Sequence, residues 1–271
     1  MAYKGLIYKK LGDGVVLVTL NRPHRLNAIS RGLQEELHQF MDEVEGSDDL
    51  KVLVITGAPR PDGRPCFSAG GDLMEEAEEV EAQEHPERER LARIARYVSD
   101  GDYESGVATV CSRLERLSKP TIAAIDGVCT AGGLELALSC DIRVVSETAE
   151  ISDLHIKNLG NIGGSGVTVR LARTVGAAWA KEIMFAGKPI DVQRAVTIGL
   201  ASHVFPPDRF LEEAIALAHN FTSMRPSALA MAKALINNAS GLDATRGLLS
   251  DSYIASSALG SEGGAWNARQ K

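Results

Sequence analysis

Three glycine-containing segments limit the folds open to this 271-residue chain: Ser68–Asp72 (SAGGD), Thr130–Glu135 (TAGGLE) and Gly160–Gly166 (GNIGGSG). The first two have the pattern of a strand, a turn and a helix, and glycine lets another group come close to the backbone at such a turn. Glycine supplies 26 residues, about 10% of the chain against ~7% in an average protein, without any internal repeat. The sequence therefore predicts a backbone that approaches something closely.

Strand and helix patterns alternate along the first part of the chain. Strand patterns cover residues 14–20, 51–57, 121–125 and 141–145, and the nearly continuous β-branched run at 51–57 is typical of a buried strand. Ser30 is placed to cap an amphipathic helix, a further helix is predicted from Val167, and the chain is mostly helical from Ala177 onward. Asp191 and Asp208 are predicted caps of later helices. These patterns predict an α/β core with a helical tail and no linker that separates two domains.

Composition and charge exclude several classes of protein. Apolar residues make up 44% of the chain, which is enough for a core, and the net charge of −7 argues against nucleic-acid binding. No segment is predicted to span a membrane, and no signal peptide is predicted at the N-terminus. The four cysteines have neither C-x-x-C nor zinc-site spacing, so we expect reduced thiols, no metal and a cytoplasmic protein.

The glycine segments match no phosphate-binding or dinucleotide-binding motif, which argues against an NAD enzyme. Instead, Glu135 follows Gly132 by about one helical turn, so its carboxylate can lie on the same side as the Gly132 amide. Two backbone amides that converge on one point stabilise an oxyanion, and an acid or base beside them completes such a site. The spacing also fits the alternative that the glycines only permit close helix packing.

Several further segments, in order along nearly the whole chain, share one resemblance. They are Arg22–Ala28 (RPHRLNA), Phe67–Asp72 (FSAGGD), Lys119–Gly127 (KPTIAAIDG), Ala131–Ala137 (AGGLELA), Cys140–Arg143 (CDIR) and Gly160–Gly166. Each segment alone is weak, but together they resemble the crotonase superfamily, the enoyl-CoA hydratase/isomerase-like proteins.

This resemblance implies a crotonase-like spiral of ββα units over residues 1–200. A C-terminal helical region over residues 201–271 would belong to the same unit and serve trimerisation, giving homotrimers or dimers of trimers. The substrate would be an acyl-CoA thioester, with coenzyme A as part of the substrate and no bound cofactor. The amides of Gly71 and Gly132 would form the oxyanion hole. The CoA-binding positions would be Arg25, Leu26, Ala69, Asp72 and Leu73.

The resemblance breaks at the second acid–base residue. Hydratases of the family use two glutamates on one water, and Glu135 matches the first. The second normally follows a proline shortly before the glycine that corresponds to Gly160, whereas residues 152–160 read SDLHIKNLG, with no glutamate and one extra residue. Counting back from Gly160 places Ile156 in this position, and allowing for the insertion places His155 there. Asp153 could orient His155 or itself face the pocket.

The leading hypothesis is an enoyl-CoA hydratase with Glu135 and His155 as catalytic residues and the Gly71 and Gly132 amides holding the enolate. The alternatives are an enoyl-CoA isomerase, a hydrolase or C–C bond-cleaving enzyme that uses His155, and a non-catalytic acyl-CoA-binding relative. The charge-dense segment 74–100 is interpreted as a solvated helical segment or as a lid over the pocket.

Overall fold

The computed structural model describes residues 3–75, 106–239 and 241. Beyond Glu75, the predictions for the charged segment fall outside the described residues. So do residues 240 and 242–271 of the C-terminal region predicted from the resemblance.

Nine strands in the described residues form two sheets. The larger sheet has the order β1 (Leu6–Lys10), β2 (Val15–Leu20), β3 (Val52–Gly57), β5 (Thr121–Ile125), β7 (Ile142–Ser146) and β9 (His203–Phe205). The smaller sheet contains β4 (Cys66–Ser68), β6 (Val128–Thr130) and β8 (Glu150–Ser152). The pair β1–β2 is antiparallel, and the other strand pairs of both sheets are parallel.

The helices that lie wholly within the described residues are α1 (Arg31–Glu45), α2 (Val107–Arg116), α3 (Gly132–Leu138), α4 (Val167–Ala186), α5 (Val192–Thr197), α6 (Phe210–Thr222) and α7 (Pro226–Ala239). A 3₁₀ turn covers Pro23–Arg25 and a π-helical turn covers His155–Leu159. Helix α4 is broken at Gly176, whose φ of 79° lies outside the helical region.

The order of these elements gives a repeated ββα arrangement. From β3 onward, the first strand of each unit enters the larger sheet and the second strand enters the smaller sheet. The chain thus advances around the two sheets one unit at a time, as in β5–β6–α3 and β7–β8–α4. The α/β fold class and the crotonase-like ββα order predicted from the sequence are therefore confirmed.

Packing of the larger sheet explains why its central strands are apolar. Strands β3 and β5 are covered on both faces, which is typical of parallel strands in α/β proteins. On one face lies the predicted apolar stripe of α1, namely Leu33, Leu37, Phe40, Met41 and Val44. On the other face α6 contributes Phe210, Ala214 and Ala218.

Two of the three predicted helix caps are confirmed, and one short strand was not predicted. Ser30 and Asp191 cap their helices as predicted, each accepting a hydrogen bond from the amide three residues on. The prediction for Asp208 is wrong, because α6 begins after Arg209 and no side chain caps it. The sheet also extends beyond residue 200 through β9, into the region predicted to be helical.

The four cysteines of the chain are free thiols. Cys66, Cys111, Cys129 and Cys140 are all buried and unpaired. Burial raises the pKa of the Cys66 thiol to about 11. None of the described helices combines the length and apolar character needed to cross a membrane. The described residues also contain no cluster of three or more His, Cys, Asp or Glu side chains that could hold a metal ion.

The Ser30 cap gives a stability prediction. Its Oγ accepts a hydrogen bond from the Leu33 amide at 3.2 Å, so Ser30→Ala leaves one buried amide at the start of α1 without a partner. We expect the free energy of unfolding to fall by about 1 kcal/mol in urea titrations. Ser202→Ala, at an exposed position, is the control and should be neutral. Equal effects of the two substitutions would contradict the cap.

Candidate active site

Two glycine turns face each other at the ends of β4 and β6. A Cβ added at Gly70, which has a φ of 104°, would come within 2.7 Å of the Gly132 amide nitrogen. A Cβ added at Gly132 would lie 3.1 Å from the Gly71 amide nitrogen. The amides of Gly71 and Gly132 therefore lie side by side, and glycine is needed there for the backbones to approach.

Both of these amides are free to bind a ligand atom. The first backbone hydrogen bond of α3 joins the Glu135 amide to the Ala131 carbonyl at 3.0 Å, so the Gly132 amide precedes the helical ladder. Among residues 3–75 and 106–239, neither the Gly71 nor the Gly132 amide has an acceptor. Two adjacent free donors of this kind can hold an oxygen that develops negative charge.

Asn27 holds the first turn in place, and the sequence reasoning did not single it out. This fully buried side chain donates to the carbonyls of Ala58 and Cys66, both at 2.8 Å, and accepts from the Arg22 amide at 3.0 Å. The backbone carbonyl of Asn27 accepts a hydrogen bond from Ser68 Oγ at 2.9 Å. Asn27 has a positive φ of 52°, which asparagine tolerates better than most residues.

The predicted CoA-binding positions come together at the same place. The Ala69 amide donates to the Leu26 carbonyl at 2.9 Å, which joins the two segments side by side. Arg25 and Leu73 are exposed, and Leu26 and Ala69 are half-buried, so these four residues border solvent. The assignment to CoA stays a prediction.

Asp72 differs from the other predicted CoA-binding positions because its side chain is buried. Its carboxylate pairs with the Arg22 guanidinium at 2.8 Å. Burial raises the pKa of Asp72, but the hydrogen bond and charge of Arg22, together with the Glu75 amide and the Arg25 charge, lower it overall. The Asp72 side chain thus anchors the turn, which leaves its backbone for any contact with a ligand.

Glu135 lies one turn into α3 and is 98% buried. Its Oε1 accepts hydrogen bonds from the Ser165 amide at 2.8 Å and the Val167 amide at 3.3 Å. These amides belong to the third glycine segment and to the start of α4. The carboxylate is therefore fixed through one oxygen, and Oε2 is directed elsewhere.

His155 is the residue that Oε2 faces. The distance from His155 Nε2 to Glu135 Oε2 is 4.0 Å, and the His155 side chain is 90% buried. Ile156, the alternative from counting back from Gly160, packs against the hydrophobic core instead. Residues 155–159 form the π-helical turn, which holds one more residue than an α-helical turn and accommodates the extra residue noted in the sequence.

Asp153 lies directly behind His155. Its Oδ1 accepts hydrogen bonds from the His155 backbone amide at 2.8 Å and from His155 Nδ1 at 3.0 Å. Asp153 could either orient His155 or face the pocket itself, and these hydrogen bonds fit the first role. The His155 ring therefore lies between the two carboxylates, with Nδ1 on Asp153 and Nε2 facing Glu135.

The electrostatics of the pair follow from burial and from the two carboxylates. Burial raises the pKa of Glu135, and the His155 charge and the Ser165 and Val167 amides only partly offset it. Burial alone would lower the pKa of His155, but Asp153 and Glu135 raise it overall. The two carboxylates thus favour the protonated form of His155, whereas burial disfavours the charged form of Glu135.

Gly163 brings the third glycine segment against both side chains. A Cβ added there would lie 2.5 Å from Glu135 Oε1 and 2.7 Å from His155 Cε1. Only a residue without a side chain allows this approach, so the predicted turn at Gly160–Gly166 borders the pair.

Two open cavities lie elsewhere, between α2, α4 and α7. Their volumes are about 330 and 470 Å³, and Glu115 and Arg173 line both. Neither is lined by Glu135 or His155, so the candidate site is defined by its side chains and amides rather than by cavity size.

The chain matches the family model described as enoyl-CoA hydratase/isomerase over residues 10–261. It therefore belongs to the enoyl-CoA hydratase/isomerase family, and it is an enzyme of the hydratase/isomerase type that acts on acyl-CoA thioesters.

Individual relatives are similar over most of their length. The chain is 34% identical over 239 residues to the mitochondrial methylglutaconyl-CoA hydratase of Mus musculus, covering 87% of this chain and 69% of the relative. It is 32% identical over 241 residues to the short-chain-enoyl-CoA hydratase of Clostridium acetobutylicum, covering 88% and 82%. The solved structure of enoyl-CoA hydratase from Bacillus anthracis matches with a TM-score of 0.82 at 30% identity, covering 96% and 92%.

The close approach of Gly163 gives a prediction with a neighbouring control. Gly163→Ala forces its methyl group against the fixed Glu135 carboxylate and the His155 ring, whereas a Cβ at Gly164 meets open space. We expect Gly163→Ala to lower the free energy of unfolding by about 1–3 kcal/mol. Gly164→Ala should stay within about 0.5 kcal/mol of the wild type. Urea titrations measure both, and the reverse order would contradict the packing described here.

Proposed function

We propose that this protein is an enoyl-CoA hydratase that adds water across the α,β double bond of a 2-enoyl-CoA. The observation that carries the proposal is the pair of Glu135 Oε2 and His155 Nε2, which face each other at 4.0 Å. Glu135 stands on the same short helix as Gly132, whose free amide lies beside that of Gly71.

The separation of the pair suits a shared water. At 4.0 Å the two atoms are too far apart for a direct hydrogen bond. A water oxygen about 2.8 Å from each atom fits the gap in a bent arrangement. Such a water would be held by a base on one side and by a proton donor on the other, which hydration requires.

The proposed reaction follows from these positions. Glu135 accepts a proton from the water as the water oxygen bonds to the β-carbon. The electron pair of the double bond moves to the thioester oxygen, and the Gly71 and Gly132 amides stabilise the resulting enolate. His155 Nε2 then gives its proton to the α-carbon. Transfer of the proton from Glu135 to His155 restores the starting state.

The substrate assignment rests on family membership and on the predicted binding positions. Arg25, Leu26, Ala69, Asp72 and Leu73 are proposed to contact the CoA moiety, with Asp72 acting through its backbone. The names of the mouse and Clostridium relatives, one for methylglutaconyl-CoA and one for short-chain enoyl-CoA, support an enoyl thioester as substrate class. From the resemblance we also propose a homotrimer or dimer of trimers, and we expect a cytoplasmic location.

Hydrolysis of the thioester is a second candidate because of the Asp153–His155 hydrogen bond. A histidine oriented by a carboxylate can also activate a water toward a carbonyl held by two amides. This reaction releases free CoA, whereas hydration keeps the thioester intact. A double-bond isomerase would instead return an enoyl-CoA of unchanged mass.

A panel of 2-enoyl-CoA thioesters tests the proposal. We expect loss of the conjugated thioester absorbance and formation of a 3-hydroxyacyl-CoA. Glu135→Gln should lower kcat by about 10²–10⁴-fold, because the base is lost while the hydrogen bonds to its side-chain oxygen can persist. Glu182→Gln, on the exposed side of α4, is the matched control and should keep full activity.

Two outcomes would contradict the proposal. Free CoA as the main product would favour hydrolysis, and hydration that survives Glu135→Gln unchanged would exclude Glu135 as the base. Mass spectrometry of the products separates these results, because hydration adds one water to the thioester and isomerisation adds none.

A further inference from the structure

Asp153 is a buried carboxylate that, among the described residues, accepts hydrogen bonds through only one of its two oxygens. The residue is fully buried, and its Oδ1 accepts two hydrogen bonds, both from His155. Its Oδ2 has no hydrogen-bond partner among the described residues. A buried carboxylate is costly unless it is paired and hydrogen-bonded, so Asp153 depends on His155 for its stabilisation.

The same contacts fix which histidine nitrogen carries a proton. An ionised carboxylate only accepts hydrogen bonds, so His155 Nδ1 donates to Asp153. A neutral ring would then present an unprotonated Nε2 to Glu135, and an imidazolium would present Nε2–H. The ring orientation is therefore set by Asp153 from behind and leaves Nε2 facing Glu135 at 4.0 Å.

Charges on the neighbouring elements favour the imidazolium. The carboxylates that act on His155 are Asp153 from the adjoining segment and Glu135 from α3. On the π-helical turn itself, the Lys157 ammonium is bound to the Gly187 carbonyl at 3.0 Å. On α4, the Arg170 guanidinium is paired with Glu115 at 2.6 Å. One cationic ring between two carboxylates leaves a single negative charge, whereas a neutral ring would leave two.

We propose that Asp153 is a positioning residue that keeps His155 as an imidazolium with its Nε2–H directed toward Glu135. Asp153 does not touch the reacting atoms and acts only through the ring. This inference rests on the proposed function in one respect, because it makes a cation the proton donor in the hydration step.

The sign of the pH dependence follows from this arrangement. The two carboxylates raise the pKa of His155 in spite of its burial. The donor is available below that pKa and is lost as the pH rises through it, so His155 sets the alkaline limb of activity. Removing the charge of Asp153 must lower the pKa of His155 and move the alkaline limb to lower pH.

Nuclear magnetic resonance titration of the 271-residue chain, with ¹⁵N-labelled histidine, tests the proposal without substrate. His155→Gln identifies the His155 signals among the six histidines. In the wild type, we expect His155 to titrate above the ordinary midpoint of about 6.5 and Nδ1 to stay protonated throughout. A midpoint below 6.5 in the wild type would overturn the proposal without any variant of Asp153.

Asp153→Asn removes the charge but retains an oxygen that can accept from His155. We expect the His155 midpoint to move to lower pH by at least about one pH unit. The alkaline limb of kcat for hydration should move in the same direction, with KM changed less than kcat. Asp62→Asn, in an exposed loop, is the matched control and should change neither.

The possible outcomes separate the two proposals. The wild-type protein could show a His155 midpoint above about 6.5, lowered by Asp153→Asn, and yet hydrate no enoyl-CoA. That result would support the Asp153 inference and contradict the proposed function. An unshifted midpoint and limb in folded Asp153→Asn would overturn the inference and leave hydration intact. If Asp153→Asn fails to fold, the wild-type titration above decides the question.

Discussion

The site depends on the close approach of two backbone turns. A Cβ added at Gly133 would lie 2.3 Å from the Ser68 carbonyl oxygen, and one at Gly70 would lie 2.7 Å from the Gly132 nitrogen. Any side chain at these positions would push β4 and α3 apart. Because the turns meet, two amides that belong to distant parts of the chain lie next to each other, and Glu135 follows within one turn of the helix.

The acid–base chemistry depends on a second approach, by the segment around Gly163. The Ser165 amide of this segment holds Glu135 Oε1. Gly163 of the same segment lies beside the His155 ring. The carboxylate is thus fixed on one oxygen and presents the other to a histidine. A carboxylate and a cationic ring attract each other, and each stabilises the charged form of the other. Two carboxylates that face one water repel each other instead.

Much of the fold could be predicted from the sequence, because the long strands and α1 have strong apolar patterns that local physics determines. Strands β4 and β6 were indicated only by the strand–turn–helix pattern of their glycine segments, and β8 was not predicted, since three residues show no periodicity. For the site, spacing on one helix related Glu135 to Gly132. The partner of Glu135 could be predicted only as one of several candidates, with His155 preferred over Ile156 and Asp153, because a single extra residue cannot be placed without knowing that residues 155–159 form a π-helical turn.

A crystal structure with a bound 3-hydroxyacyl-CoA tests the central claim most directly, because it locates the product oxygen. We expect the 3-hydroxyl oxygen to lie within hydrogen-bond distance of both Glu135 Oε2 and His155 Nε2. We also expect the thioester oxygen to lie between the amides of Gly71 and Gly132. A thioester oxygen bound elsewhere, or a hydroxyl group that contacts neither side chain, would contradict the central claim.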